Sequence, residues 1–94
     1  GRYKDHLSEI LPFHFPGCEI IYNDSAARQG IPDILLLVGP YWAMLEAKPS
    51  ASASYQPNQE WYIEKFNNMG FSSVIHPENE AEVIDALKQA FSSR

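Results

Sequence analysis

One cysteine, Cys18, is all the thiol this chain has, so an internal disulfide is impossible and the paired spacing of a zinc or redox motif is missing. A reducing, cytoplasmic setting is the resulting expectation. Long apolar runs are lacking too. The longest aliphatic stretch, Ile34 to Val38, falls far short of the roughly 20 residues that cross a bilayer, and no membrane partner is expected. Gly1 to Asp5 does not have the basic and then apolar profile of a secretion signal. His6, His14 and His76 show no mutual ligand spacing, which argues against a zinc or HNH-type site. Neither a Gly-x-x-x-x-Gly-Lys phosphate loop nor a nucleophile elbow occurs, so triphosphatase and serine hydrolase chemistry have no footing. Positive charge is scarce as well: seven bases against twelve acids give a net charge of -5. The overall field therefore repels a polyanion, and any nucleic-acid contact must be local.

What is present is the composition of a globular domain, with 45% hydrophobic and 20% charged residues over 94 positions. One domain, residues 1–94, is expected. Tyr3, Leu7, Ile10 and Leu11 recur at helical spacing until Pro12, which should end a first helix. Cys18 to Tyr22 reads as a strand before the turn-forming Asn23-Asp24-Ser25. Asp33 to Val38 and Tyr41 to Lys48 flank Gly39-Pro40, the pattern of a tight hairpin. The unbroken apolar run in its first arm predicts a strand covered on both faces. Pro57 suits the first turn of a helix whose Ile63, Phe66 and Met69 stripe ends at Gly70, a natural left-handed cap. Phe71 to Ile75 is a further strand. Asn79 with Glu82 suggests a capping box for a last helix that turns Val83, Ile84, Leu87 and Phe91 inward. The segment Pro49 to Tyr55, small and polar, reads as a mobile loop or flap. Trp42 and Trp61 lie in periodic segments and read as packing residues. The fold class is α/β: a mixed sheet of about four strands flanked by helices, in the order α-β-β-β-α-β-α.

Chemistry concentrates at the open end of the hairpin. Strand alternation sends Glu46 and Lys48 to one side of the sheet and Ala47 to the other. Antiparallel pairing conserves the sum of paired indices, so Val38 opposite Tyr41 sets Asp33 opposite Glu46, and a slip of one residue still leaves two carboxylates and a lysine together. Carboxylates this close either share a proton or share a cation. Ligands made only of oxygen favour a hard divalent ion, Mg²⁺ or Mn²⁺. Such an ion can polarise a phosphodiester and lower the pKa of a water it binds. Lys48 would add charge to the developing phosphorane or act on the attacking water, and the residues alone leave both roles open. Gln59 shares the buried stripe of its helix, so its amide should point at the sheet and be satisfied by a water or a substrate phosphate. Gln56 and the Tyr62 hydroxyl are further candidates for substrate contact.

Gly30-Ile31-Pro32-Asp33, then Leu45-Glu46-Ala47-Lys48, then a helical Gln59 resembles the PD-(D/E)XK nuclease superfamily, and within it the small VRR-NUC and phage Holliday junction resolvase-like nucleases. The likeness is best over residues 30 to 70. It implies a restriction-endonuclease-like core and a Mg²⁺- or Mn²⁺-dependent DNA endonuclease, selective for structure such as a branched junction or duplex rather than for sequence. Metal ligands implied are Asp33, Glu46 and the Ala47 carbonyl, with Lys48 as base or phosphate contact and Gln59 as a positioner. A glutamate of the first helix often completes the family's site; Glu9, or a residue upstream of Gly1, is the candidate. Arg28, preceding the acidic strand, is placed to touch a DNA phosphate. The resemblance also implies a possible homodimer, with two cutting sites, in the cytoplasm of a bacterium or a phage-infected host cell. The rival reading is a catalytically inactive module of the same fold that binds DNA or protein.

Overall fold

The computed structural model describes residues 1–92. Its elements are α1 (Arg2–His14), β1 (Glu19–Tyr22), β2 (Ile34–Val38), β3 (Tyr41–Ala47), α2 (Gln59–Met69), β4 (Phe71–Ile75) and α3 (Glu80–Ser92). The four strands form one mixed sheet in the order β1-β2-β3-β4, with β4 parallel to β3 and the other pairs antiparallel. This is the expected α/β architecture in the expected element order. Val38 pairs with Tyr41 across the Gly39-Pro40 turn and Ile34 with Leu45, so the hairpin register is the one the turn dictates.

Alternation along the strands sorts the sheet into two faces. Ile34, Leu36, Ala43, Leu45 and Ile75 form one face and are buried together with Leu7, Leu11 and Phe15 from the α1 segment and Val83, Ile84 and Leu87 from α3. Each fully buried leucine here contributes roughly 1.5–3 kcal/mol, which makes this face the main source of stability. The opposite face carries Trp42 and Glu46, and α2 lies over it through β3 and β4. Trp42 meets Phe66 edge to face, with centroids 6.4 Å apart. Because α2 covers only these two strands, Leu35 and Leu37 are half-buried. The expectation of a strand covered on both faces is therefore corrected: β2 is apolar throughout but sealed on one side.

Several boundaries differ from their sequence signals for local reasons. α1 runs through Pro12 to His14, its end closed by a Phe15 N–H bond to the Leu11 carbonyl of 2.8 Å; a proline in a last turn sacrifices only one amide donor. Pro57 precedes α2 rather than opening it. The helix begins at Gln59, after Asn58 in the left-handed region (φ 72°), a conformation asparagine tolerates. Gly70 is not a left-handed cap, since its φ is -167°. A side chain there would strike the Trp42 ring, with Cβ only 2.6 Å from it, so close packing explains this glycine. Met69 and Trp61 are 65% and 59% exposed, against the expectation that both pack inward. Asn79 does not form the capping box: its Oδ1 accepts from the His76 N–H at 2.8 Å and its Nδ2 donates to the Val74 carbonyl. The segment from Pro49 to Tyr55 is pinned rather than free, by Ala51 N–H to Glu78 (2.7 Å) and by Lys48 to the Ser54 carbonyl (3.0 Å). No helix among the described residues is long and apolar enough to cross a membrane.

Candidate active site

The hairpin places its two acids side by side. Asp33 precedes β2 and Glu46 lies near the end of β3, and the Ala47 N–H donates to Asp33 Oδ2 at 3.1 Å. Asp33 is held from behind by Asn23, whose N–H donates to the Asp33 carbonyl (2.7 Å) and whose Nδ2 donates to the Pro32 carbonyl (2.8 Å). The Lys48 N–H bonds the Ile75 carbonyl on the β4 side. In a planar trans peptide the Ala47 carbonyl points the opposite way, toward Asp33.

Glu46 and Lys48 are almost wholly buried, with side chains 4% and 11% exposed, and Gln59 is buried with them. Lys48 Nζ donates to Gln59 Oε1 at 2.8 Å and to the Ser54 carbonyl, and lies 3.8 Å from Glu46 Oε2. The same amide donates from Nε2 to Glu46 Oε2 at 3.1 Å, while its oxygen also accepts the Gln56 N–H at 2.7 Å. An ammonium can only donate, so the amide oxygen must face Lys48, which leaves its NH₂ for the carboxylate. Tyr55 closes the far side, its ring centroid 5.3 Å from Nζ.

Gly30 lets α2 come this close. Its φ is +90°, and a Cβ would sit 2.6 Å from Asn58 Cβ and 2.7 Å from the Pro57 carbonyl. The Gly30 to Asp33 loop thus packs against the chain entering α2, bringing Gln59 to the acids.

Burial, and after it the negative charge of Asp33, push the Glu46 carboxyl up to about 7, with Lys48 acting in the opposite sense. The Glu46 carboxyl is buried and hydrogen-bonds Asp33, through both the side chain and the backbone of that residue. Ionising both members of so close a pair is costly, and a cation placed between them would remove that cost. The donor set of Asp33, Glu46 and the Ala47 carbonyl is all oxygen, which fits Mg²⁺ or Mn²⁺ better than zinc. No group of three or more acidic, histidine or cysteine side chains gathers among the described residues, so the remaining positions of such an ion would fall to water or substrate oxygens.

The structure brings together Asp33, Glu46, Lys48 and Gln59. Glu9 is not brought to them. It is exposed and lies roughly 140° around α1 from Lys4, and it is Lys4 that reaches the site, 3.4 Å from Asp33 Oδ1. Gln59 has protein partners in Lys48, Glu46 and the Gln56 backbone. Gln56 does line a cleft of about 290 Å³ together with Gln29, Gly30, Asp33 and Gln59. Tyr62 is spent on packing against Trp61 and Phe66, at 4.9 and 5.7 Å. Arg28 is exposed in the loop before Asp33, outside the residues that line this cleft. Lys4, Asn23 and Ser54 were missed from the sequence. Lys4 had a signal, because it falls on the same helical stripe as Leu7 and Leu11; the other two had none.

Comparison of the chain with family models, with curated proteins and with solved structures gives no match.

Proposed function

We propose that this chain is a divalent-metal-dependent DNA endonuclease of the PD-(D/E)XK type. The observation that carries the reading is the buried Glu46 carboxyl, pushed up to about 7 by burial and by Asp33 beside it at the end of a hairpin, and backed by Lys48. A bound Mg²⁺ or Mn²⁺ would polarise the phosphodiester and offset charge on the attacking and leaving oxygens. Asp33, Glu46 and the Ala47 carbonyl would hold it.

Lys48 is surrounded by three acceptors, an environment suited to a charged ammonium. Its role in this reading is electrostatic, stabilising negative charge that grows on the phosphoryl oxygens, rather than that of a general base. Gln59 acts as a positioning residue, joining Lys48 to Glu46 so that neither turns away. The Ser54 carbonyl and Tyr55 restrict the ammonium further. The short chain carries no evident base-reading element, so recognition is by DNA shape and phosphate charge, with affinity falling steeply as salt rises. A second copy would supply the second cut that a branched or duplex substrate requires.

One observation favours the inactive module instead: Lys4 and Lys48 already neutralise part of the acidic pair. Incubating the protein with plasmid and with a four-way junction separates the readings, in Mg²⁺, in Mn²⁺ and in chelator. Cleavage dependent on the metal is expected. Intact substrate under every condition would overturn the nuclease.

A further inference from the structure

Asp33 uses its two oxygens differently. Oδ2 accepts the Ala47 N–H, Oδ1 meets the Lys4 ammonium at 3.4 Å, and the Glu46 carboxyl bonds the same carboxylate. That separation is an ion pair rather than a tight hydrogen bond, and the Lys4 side chain is 40% exposed on a flexible stem. A cation thus already stands at Asp33 Oδ1. An ammonium and a divalent ion cannot both occupy the same oxygen without strong repulsion.

A displaced Lys4 has somewhere to go. On the α1 side of the site lies a cleft of about 220 Å³ whose lining includes Arg2, Lys4, Ala47, Lys48 and Pro49. Arg2 and Lys4 are two of only seven bases in a chain of net charge -5, and the Lys48 ammonium is held elsewhere, by Gln59 and Ser54. No acidic side chain lines that cleft, and it borders the Ala47 backbone, whose N–H holds Asp33. Arg2 and Lys4, neighbours in a mostly apolar cleft with no acidic lining, suit a substrate phosphate.

We infer that Lys4 is an exchangeable counter-ion: it holds Asp33 until a divalent cation arrives, then turns into the cleft beside Arg2 to take a substrate phosphate oxygen. The inference rests on the nuclease reading of the same site. It assigns Arg2 and Lys4 to substrate binding, away from the residues that hold the metal.

Calorimetric titration of Mn²⁺ into the wild type, Lys4→Met and Lys4→Gln tests the first half. Removing the competing cation should tighten Mn²⁺ binding about five-fold in both variants, with circular dichroism unchanged. The second half is read from the anisotropy of a labelled duplex in Ca²⁺. Lys4→Met and Arg2→Met should each weaken binding and reduce the slope of log affinity against log salt by about one. Wild-type Mn²⁺ uptake with equal or weaker uptake in the variants overturns the exchange and leaves the nuclease standing. Tighter Mn²⁺ binding with unaltered duplex affinity overturns the transfer to phosphate. Absence of Mn²⁺ uptake from all three proteins, with duplex present or not, overturns the nuclease reading and the exchange with it.

Discussion

Gln59 bridges the lysine and the glutamate of the hairpin with a single amide, 2.8 Å from its oxygen to Lys48 Nζ and 3.1 Å from its nitrogen to Glu46 Oε2. Both partners are buried, so neither can turn to water if the amide is removed. Gln59→Leu should destabilise the chain by about 2–3 kcal/mol, since it deprives two buried charged groups of a partner each. Urea denaturation of the variant beside the wild type measures it, and a loss under about 0.5 kcal/mol would show that the bridge carries no weight.

The titration of Glu46 sets a pH dependence with a definite sign. Its carboxyl is raised from 4.5 to about 7 in the folded chain. The folded state therefore binds more protons than the unfolded one between those values, and stability falls as pH rises through that window before levelling off above it. The full span is on the order of 3 kcal/mol. Thermal melts from pH 4 to 8 without divalent ions should show this decline, and Glu46→Gln should flatten it. Added Mg²⁺ should restore stability at the alkaline end if, as proposed, the ionised pair holds the ion, and melts that do not respond to Mg²⁺ would count against that proposal.

Gly30 offers a test of how α2 reaches the acids. Gly30→Ala meets Asn58 and Pro57 at under 3 Å and also sits at positive φ. Gly17 shares the positive φ, at 82°, but has open space around it. Gly17→Ala should therefore cost only the backbone term, about 1 kcal/mol, whereas Gly30→Ala should cost at least twice that. Comparable melting temperatures for the two variants would show that the loop yields without disturbing Gln59.

Ser72 is a place where the fold gives up stability. Its hydroxyl is buried with no partner among the described residues, although its N–H is satisfied by Asn67 Oδ1 at 3.0 Å. Ser72→Ala removes the unpaired oxygen and should raise stability by about 1 kcal/mol. A lower melting temperature would mean that the hydroxyl finds a partner in solution.

Much of the candidate site is legible in the sequence because its core is local. The Gly39-Pro40 turn sets the pairing of Val38 with Tyr41, and that pairing alone brings Asp33 to Glu46 and Ala47. Lys48 follows two residues on, by strand alternation. What resisted reading depends on the placement of helices. Gln59 points inward as its stripe implies, but that Lys48 and Glu46 share its amide is not legible, since helix periodicity says which side is buried and not what lies opposite. Glu9 is a candidate only through the resemblance, whereas the rotation of α1 presents Lys4.

The chain by itself determined its elements, their order and the hairpin register, because each follows from contacts between residues a few positions apart and from the alternation of apolar side chains. Tertiary structure decided which cation meets Asp33, which groups share the Gln59 amide and how far α2 covers the sheet. Those outcomes turn on how distant segments pack against one another, to within an ångström, and on where burial leaves an oxygen without a partner. No periodicity in a sequence records either quantity.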